Sequence, residues 1–129
     1  MKKIKYILDS SAVLALLQGE PGSAKVEPLL DQAVLSVVNL SEILGILVLK
    51  GVPANEARVE LAGLVQDIAP FSEDMAEAAA RLIAKTKPLG LSLGDRACLA
   101  TAEILNLEAV TADKAWTRLA SSTRVLCIR

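Results

Sequence analysis

Short apolar runs alternate with longer amphipathic stretches along the whole chain. The short runs predict β-strands, which we place at Lys3–Leu8, Ala33–Val38, Asp67–Pro70, Glu108–Thr111 and Arg124–Ile128. The amphipathic stretches predict helices, which we place at Ser10–Gln18, Ser23–Leu30, Asn39–Lys50, Pro53–Gln66, Ser72–Thr86, Ser92–Leu105 and Asp113–Leu119. Strands that alternate with helices form a parallel sheet covered on both faces. The pattern therefore predicts a single α/β domain over residues 1–129.

Composition agrees with a folded domain and narrows the chemistry. Apolar residues make up 53% and charged residues 22% of the chain, which is typical of a globular protein. The absence of histidine excludes Ser-His-Asp and Cys-His triads and histidine-based ribonuclease mechanisms. The formal net charge of -1 gives no overall attraction to nucleic acid. Cys98 and Cys127 lack metal-site spacing, so we interpret them as buried thiols in a reducing compartment.

The start of the chain resembles a secretion signal only superficially. Lys2, Lys3 and Lys5 precede an apolar stretch, but Asp9 and the two serines after it interrupt that stretch. No later run approaches the roughly 18 uncharged apolar residues that a membrane helix needs. We therefore expect a cytoplasmic protein without a membrane segment.

Four acidic residues follow predicted strands or begin predicted helices. Asp9 follows the first strand, Glu42 and Asp95 lie in first turns of helices, and Asp113 follows the fourth strand. In a parallel sheet these positions lie along one edge, where ligand sites form. Taken singly, each acid is better explained as a helix cap, because Asn39-Leu40-Ser41-Glu42 has the pattern of a capping box and Ser92-Leu93-Gly94-Asp95 is close to one.

The combination of the four acids favours a metal site. Carboxylates that converge on one crevice repel one another, and a buried carboxylate such as Asp9 is costly without compensation. Mg²⁺ and Mn²⁺ prefer such oxygen ligands. These metals activate water and neutralise charge on a phosphoryl group.

Four segments resemble the acidic motifs of PIN domains, and most closely those of VapC-type toxins. They are Ile7-Leu8-Asp9-Ser10-Ser11-Ala12, Asn39-Leu40-Ser41-Glu42, Leu91-Ser92-Leu93-Gly94-Asp95-Arg96 and Val110-Thr111-Ala112-Asp113-Lys114-Ala115-Trp116. The resemblance covers the whole chain in the family's order. It departs at Asn106-Leu107-Glu108, where many relatives have Gly-Leu-Pro.

The resemblance implies a fold, an activity and a set of partners. The fold is a PIN-like three-layer sandwich, with a parallel sheet of four or five strands between helices. The activity is Mg²⁺- or Mn²⁺-dependent endonucleolytic cleavage of RNA. The partners are an RNA substrate, a cognate antitoxin protein and a second copy of the chain in a homodimer. Ile43–Leu49 and Val59–Val65 are candidates for the antitoxin groove or the dimer surface, although most of their residues are expected to serve the core.

The resemblance also assigns roles to individual residues. Asp9, Glu42, Asp95 and Asp113 match the catalytic, metal-binding acids. Ser10 and Thr111 match hydroxyl positions near the metal. Independently of the resemblance, three cations close to these motifs are candidates to contact RNA phosphates, with ordinary solvated charges as the alternative: Lys87, Arg96 and Lys114.

Other interpretations remain open. A PIN-like interaction module without catalytic activity has the same fold, but the chain keeps all four acids. A receiver-like signalling domain needs an acidic pair after the first strand, where this chain has Asp9 followed by two serines. A phosphatase with an aspartate nucleophile needs Asp-x-Asp, and Ser11 stands at the second position.

Overall fold

Five parallel strands form a single sheet within the part of the chain that the computed structural model describes, residues 3–129. Met1 and Lys2 lie outside the described residues, so the predicted basic start is described only from Lys3 onward. The strands are β1 (Tyr6–Leu8), β2 (Ala33–Ser36), β3 (Asp67–Ala69), β4 (Glu108–Thr111) and β5 (Val125–Cys127). Their order across the sheet is β3-β2-β1-β4-β5. In the register, Leu8 lies beside Leu35 on one side and Val110 on the other.

Helices connect the strands and cover both faces of the sheet. They are α1 (Ser10–Gln18), α2 (Ser23–Val26), α3 (Val37–Leu49), α4 (Ala54–Leu64), α5 (Glu73–Arg81), α6 (Ile83–Thr86) and α7 (Leu93–Leu105). Short 3₁₀ turns cover Glu27–Gln32, Lys87–Leu89 and Lys114–Arg118. The predicted sandwich of helix, sheet and helix is therefore confirmed, and its sheet has the larger of the two expected strand numbers.

The two faces of the sheet build separate aliphatic cores. Ile7 and Val34 face a core that contains buried residues of α5 and α7 together with Trp116. Leu8 and Leu35 face the other core, to which α1, α3 and α4 contribute. Because both faces are buried, the central strands are continuously apolar instead of alternating. That is why they appear in the sequence as short hydrophobic runs.

Several predicted boundaries needed correction. Helix α3 begins at Val37 instead of Asn39, because the Ser36 hydroxyl accepts a hydrogen bond from the Val38 amide and caps the helix earlier. The helix predicted over Ser23–Leu30 changes to a 3₁₀ turn at Glu27, next to Pro28. The helix predicted over Ser72–Thr86 is divided at Leu82. The edge strand β5 is shorter than predicted because only its middle pairs with β4.

The two cysteines differ in their environments. Cys98 is buried in α7, as predicted, and burial raises the pKa of its thiol well above the usual value. Cys127 is only half-buried, which corrects the prediction that both thiols are enclosed. The reason is its place at the end of β5, the edge strand of the sheet, where no further strand covers it.

Two left-handed residues occupy the predicted helix ends. Gly51 has φ 95° and follows Lys50, the residue that caps α3, whereas Asn106 has φ 55° directly after α7. Asparagine tolerates this conformation better than most side chains. None of the helices within residues 3–129 has the length and apolar character needed to cross a membrane.

Candidate functional site

The four predicted acids all lie at the carboxyl edge of the sheet. Asp9 directly follows β1, and its backbone amide donates to Val110 of the neighbouring β4. Asp113 lies just beyond the end of β4, and Asp95 lies in the first turn of α7. Glu42 lies in the second turn of α3, which corrects the predicted first turn because the helix begins earlier. The chain reverses its strand order at β1, so this edge is the place where open α/β sheets bind ligands.

Asp9 is the most buried of these acids. It is 2% exposed, and four hydrogen bonds hold its carboxylate. Oδ1 accepts from the Ala12 amide at 2.8 Å, Oδ2 from the Thr111 hydroxyl at 2.6 Å, and both oxygens accept from the Ser11 hydroxyl at 2.8 Å. Burial nevertheless outweighs these donors and raises the pKa of Asp9 to about 6.

Glu42 is held by side chains from two different helices. Its Oε1 accepts from the Ser10 hydroxyl at 2.8 Å and from the Asn39 amide nitrogen at 3.0 Å. Oε2 accepts no hydrogen bond within residues 3–129. The predicted capping box around Asn39 is wrong, because Ser36 caps α3 and the Glu42 carboxylate bonds to side chains instead of the helix backbone. The helix-cap explanation for this acid therefore fails.

Asp95 and Asp113 do serve as helix-end caps, but each uses only one oxygen for that purpose. Asp95 Oδ2 accepts from the Ser92 amide at 2.8 Å, which confirms the predicted capping box of α7. Asp113 Oδ1 accepts from the Ala115 amide at 2.9 Å. The remaining oxygens, Asp95 Oδ1 and Asp113 Oδ2, accept no hydrogen bond from the described residues. Capping and ligand binding are therefore compatible at both acids.

The acids are near enough to one another to interact electrostatically. Burial is the main cause that raises the pKa of Asp95, and the charges of Glu42 and Asp113 raise it further. The charge of Asp95 in turn adds to the raised pKa of Asp9. Among residues 3–129 no ion pair compensates any of the four acids. The site therefore concentrates negative charge that the protein itself leaves without a cation.

The two predicted hydroxyl residues also reach the acids. Ser10 donates to Glu42, and Thr111 donates to Asp9 while its oxygen accepts from the Asp113 amide. Two further contacts, those of Ser11 and Asn39, were not predicted from the sequence. Ser11 contacts Asp9 and, at 3.3 Å, the Thr111 hydroxyl. A polar residue one turn before an acid on a helix, as Asn39 is before Glu42, is the signal that could have identified it.

The three cations predicted to contact RNA phosphates form no hydrogen bond or ion pair with the four acids within residues 3–129. Lys114 is exposed beside Asp113, and Lys87 is exposed in the 3₁₀ turn before α7. Arg96 is half-buried, and its guanidinium donates to the Leu91 carbonyl at 3.2 Å. Within the described part of the chain, none of the three forms an ion pair with an acid of the site, so their charges remain available.

The PIN domain family model matches residues 6–121 of the chain. The chain belongs to the PIN domain family. The match includes all four acids and the strands β1 to β4, and it ends before the edge strand β5. A comparison of the sequence with curated proteins gave no significant match.

Solved structures share the fold of this PIN domain. A toxin–antitoxin complex from Klebsiella pneumoniae has a chain with 22% identity and a TM-score of 0.72, covering 97% of this chain and 98% of that one. A DNA-bound VapBC from Salmonella typhimurium has 14% identity and a TM-score of 0.74, with 98% and 99% covered. VapC20 of Mycobacterium tuberculosis, described as a toxin that cleaves the sarcin-ricin loop, has 18% identity and a TM-score of 0.70, with 88% and 94% covered.

Proposed function

We propose that this PIN domain is a Mg²⁺- or Mn²⁺-dependent endoribonuclease and the toxin of a toxin–antitoxin pair. The observation that carries the proposal is the set of carboxylate oxygens without hydrogen bonds at the carboxyl edge of the sheet. Within residues 3–129, Glu42, Asp95 and Asp113 each have one oxygen held by the protein and one that is not. The fold shared with VapC20, which is described as a toxin that cleaves the sarcin-ricin loop, supports RNA as the substrate class.

The ligand atoms that these residues offer are carboxylate oxygens, which suit a hard divalent cation. Four carboxylates offer the oxygen ligands that Mg²⁺ and Mn²⁺ prefer. Within residues 3–129 no three acidic or cysteine side chains already form a compact metal-binding group. Like charges repel one another in the absence of a cation, so a shared cation would draw the carboxylates of Glu42, Asp95 and Asp113 closer together by small side-chain movements.

Asp9 joins such a site through its hydroxyl neighbours. The Ser11 hydroxyl lies within 3.3 Å of the Thr111 hydroxyl, so Ser11 can donate there instead of to Asp9. That rotation releases a lone pair on each Asp9 oxygen without leaving the Ser11 proton unpaired. Thr111 and the Ala12 amide continue to fix the carboxylate. Asp9 is therefore the rigid member of the set.

A bound cation supplies a water of lowered pKa and neutralises charge on the phosphoryl group. The protein contributes orientation and binding. Asp9 and Glu42 are anchored to α1, α3 and β4, which are rigid elements, so their oxygens hold a fixed position relative to the cleft. Lys87, Arg96 and Lys114 neutralise the flanking RNA phosphates. This local positive charge supplies the attraction to RNA that a chain with net charge -1 lacks overall.

We propose an apolar segment of an antitoxin as the second partner. The Val59–Val65 segment borders a cavity of about 340 Å³ that Val37, Leu40, Leu61, Val65 and Ile68 line with others. It also borders one of about 500 Å³ lined by residues that include Leu16, Leu17 and Leu64. From Ile43–Leu49, Val48 and Leu49 are exposed, whereas Ile43 is buried in the core. A basic antitoxin side chain that reaches the acids would block metal or RNA.

The test of the nuclease uses labelled RNA and the purified chain. Cleavage should stop in EDTA and return when Mg²⁺ or Mn²⁺ is added in excess. Cleavage that persists in EDTA, or that neither metal restores, would contradict the mechanism. Co-expression with an antitoxin encoded next to this chain, once its reading frame is found, should suppress toxicity and give a stable complex. Failure to co-purify would contradict the toxin assignment while leaving the nuclease intact.

A further inference from the structure

The Asn39 side chain connects three elements around the candidate site. It is 1% exposed, and its amide nitrogen lies 3.0 Å from Glu42 Oε1. The same nitrogen lies 3.2 Å from the Ser10 hydroxyl and 3.2 Å from the Gly94 carbonyl. Ser10 begins α1 and Gly94 lies in the first turn of α7, directly before Asp95. One amide group therefore ties together the segments that carry three of the four acids.

The orientation of this amide has a cost in stability. Its carbonyl oxygen, Oδ1, is buried and has no hydrogen-bond partner within the described residues. A flipped amide would place Oδ1 against Glu42 Oε1 and the Gly94 carbonyl, which are both acceptors. The observed orientation satisfies Glu42 and leaves Oδ1 unpaired. Buried polar groups without partners are rare and call for an explanation.

Gly94 provides the space that this arrangement needs. A Cβ added at Gly94 would overlap both carboxylate oxygens of Glu42. Gly94 has no left-handed backbone that would require glycine. The absence of a side chain at Gly94 therefore makes room for the Glu42 carboxylate, which lies directly against the first turn of α7.

We propose that Asn39 is a positioning residue that fixes Glu42 for metal binding, with Gly94 as the gap that receives the carboxylate. The inference rests on the proposed metal-dependent function. Asn39 and Ser10 both bond to Oε1, so Oε2 keeps its lone pairs available to a cation. Partners that orient a metal ligand in this way contribute strongly to metal affinity.

The test measures Mn²⁺ affinity of the purified full chain by isothermal titration calorimetry, and unfolding in urea without metal. Asn39→Leu keeps the branching and the number of side-chain heavy atoms, adds volume because its methyl groups are larger than the amide, and removes both the donor and the unpaired carbonyl. We expect its Mn²⁺ dissociation constant to rise about 10- to 100-fold. Its metal-free stability should change little, because the loss of the buried unpaired carbonyl offsets the loss of the contacts made by the amide nitrogen. A purely structural amide predicts the reverse pattern of lower stability and unchanged affinity.

Gly94→Ala tests the second part of the proposal, the gap beside Glu42, without removing the amide, and it keeps that part testable if Asn39→Leu does not fold. Alanine suits the helix better than glycine, and the atoms that it displaces are the end of the Glu42 side chain instead of backbone, so the fold should persist while Mn²⁺ affinity falls. Thr86→Val is the matched control. It removes a buried hydroxyl of α6 that donates to the Leu82 carbonyl and bonds to none of the four acids, and it should leave affinity unchanged.

Two results would overturn the inference, and they are distinguishable. If Glu42→Gln weakens Mn²⁺ binding while Asn39→Leu and Gly94→Ala bind as the wild type does, Asn39 does not position the ligand. If the wild type binds no Mn²⁺ and RNA cleavage needs no metal, the proposed function fails together with the inference.

Discussion

Replacement of Asp9 by asparagine separates a metal ligand from a structural cap. Asp9 has a pKa raised to about 6 from 3.8 because burial disfavours its charge. Between about pH 4 and pH 6, Asp9 therefore holds its proton more tightly in the folded state than in the unfolded state. The contribution of Asp9 to the unfolding free energy of the metal-free wild type therefore falls as pH rises from about 4 to about 6, by about 3 kcal/mol in total. Above that range the penalty of the buried charge is fully present.

The Asp9→Asn variant avoids this penalty and loses little in hydrogen bonding. The new side-chain oxygen can accept from the Ala12 amide, and the new amide group would face the Ser11 and Thr111 hydroxyls, which can rotate to accept. We expect the weaker hydrogen bonding of the asparagine to lower the unfolding free energy by about 1 kcal/mol. The metal-free variant should then be about 2 kcal/mol more stable than the wild type at neutral pH. At about pH 4 it should be slightly less stable.

Urea unfolding in EDTA at several pH values gives these differences directly. The exposed Asp67→Asn on β3 is the matched control for the loss of charge, and its effect should stay within about 0.5 kcal/mol. With excess Mn²⁺, the wild type should gain stability by mass action and Asp9→Asn should gain less. RNA cleavage by Asp9→Asn should fall by orders of magnitude. A stability difference that does not change with pH, or an undiminished response to Mn²⁺, would refute this reasoning.

Three further substitutions test neighbouring parts of the site. Thr111→Val removes the 2.6 Å donor to Asp9 and should lower metal-free stability by about 1–3 kcal/mol near neutral pH in urea unfolding, with a smaller loss near pH 4, where Asp9 is neutral. Ser92→Ala should cost about 1 kcal/mol in the same assay by loss of the α7 cap, yet retain cleavage, because the Ser92 backbone still holds Asp95. Lys114→Ala should raise KM for RNA with little change in kcat and reduce the salt dependence of binding by about one charge. Unchanged KM would mean that Lys114 is only a solvated charge.

The order of strands and helices could be predicted because the central strands are buried on both faces. Their continuous apolar runs and the capping residues at Gly51 and Asn106 are local signals, and the structure confirms them. The predicted start of α3 was wrong by two residues, at Asn39 instead of Val37. Ser36 ends a buried strand, and an apolar pattern cannot distinguish the last strand residue from a cap.

The contacts among the site residues could not be predicted from the sequence. The positions of Asp9 and Asp113 follow from the parallel sheet, in which the ends of β1 and β4 are neighbours. The contacts of Asn39 with Ser10 and Gly94 join residues 29 and 55 positions apart, so they depend on how α1, α3 and α7 pack. A single sequence holds no record of such packing. Asn39 therefore has the pattern of a helix cap in the sequence, and only the earlier start of α3 shows that it has another role.

Helix capping and metal binding are competing explanations for the acids in the sequence, but the structure shows that one carboxylate has oxygens for both. Asp95 and Asp113 each give one oxygen to a backbone amide and retain the other. The cap limits the rotation of the side chain, so the second oxygen has fewer positions to lose when it binds a ligand. Pre-organisation of this kind lowers the entropic cost of binding. Glu42 lacks a backbone cap, and Asn39 and Ser10 supply the equivalent restraint. The capping signals in the sequence are therefore consistent with a metal site, and they explain how flexible surface carboxylates are held ready for one.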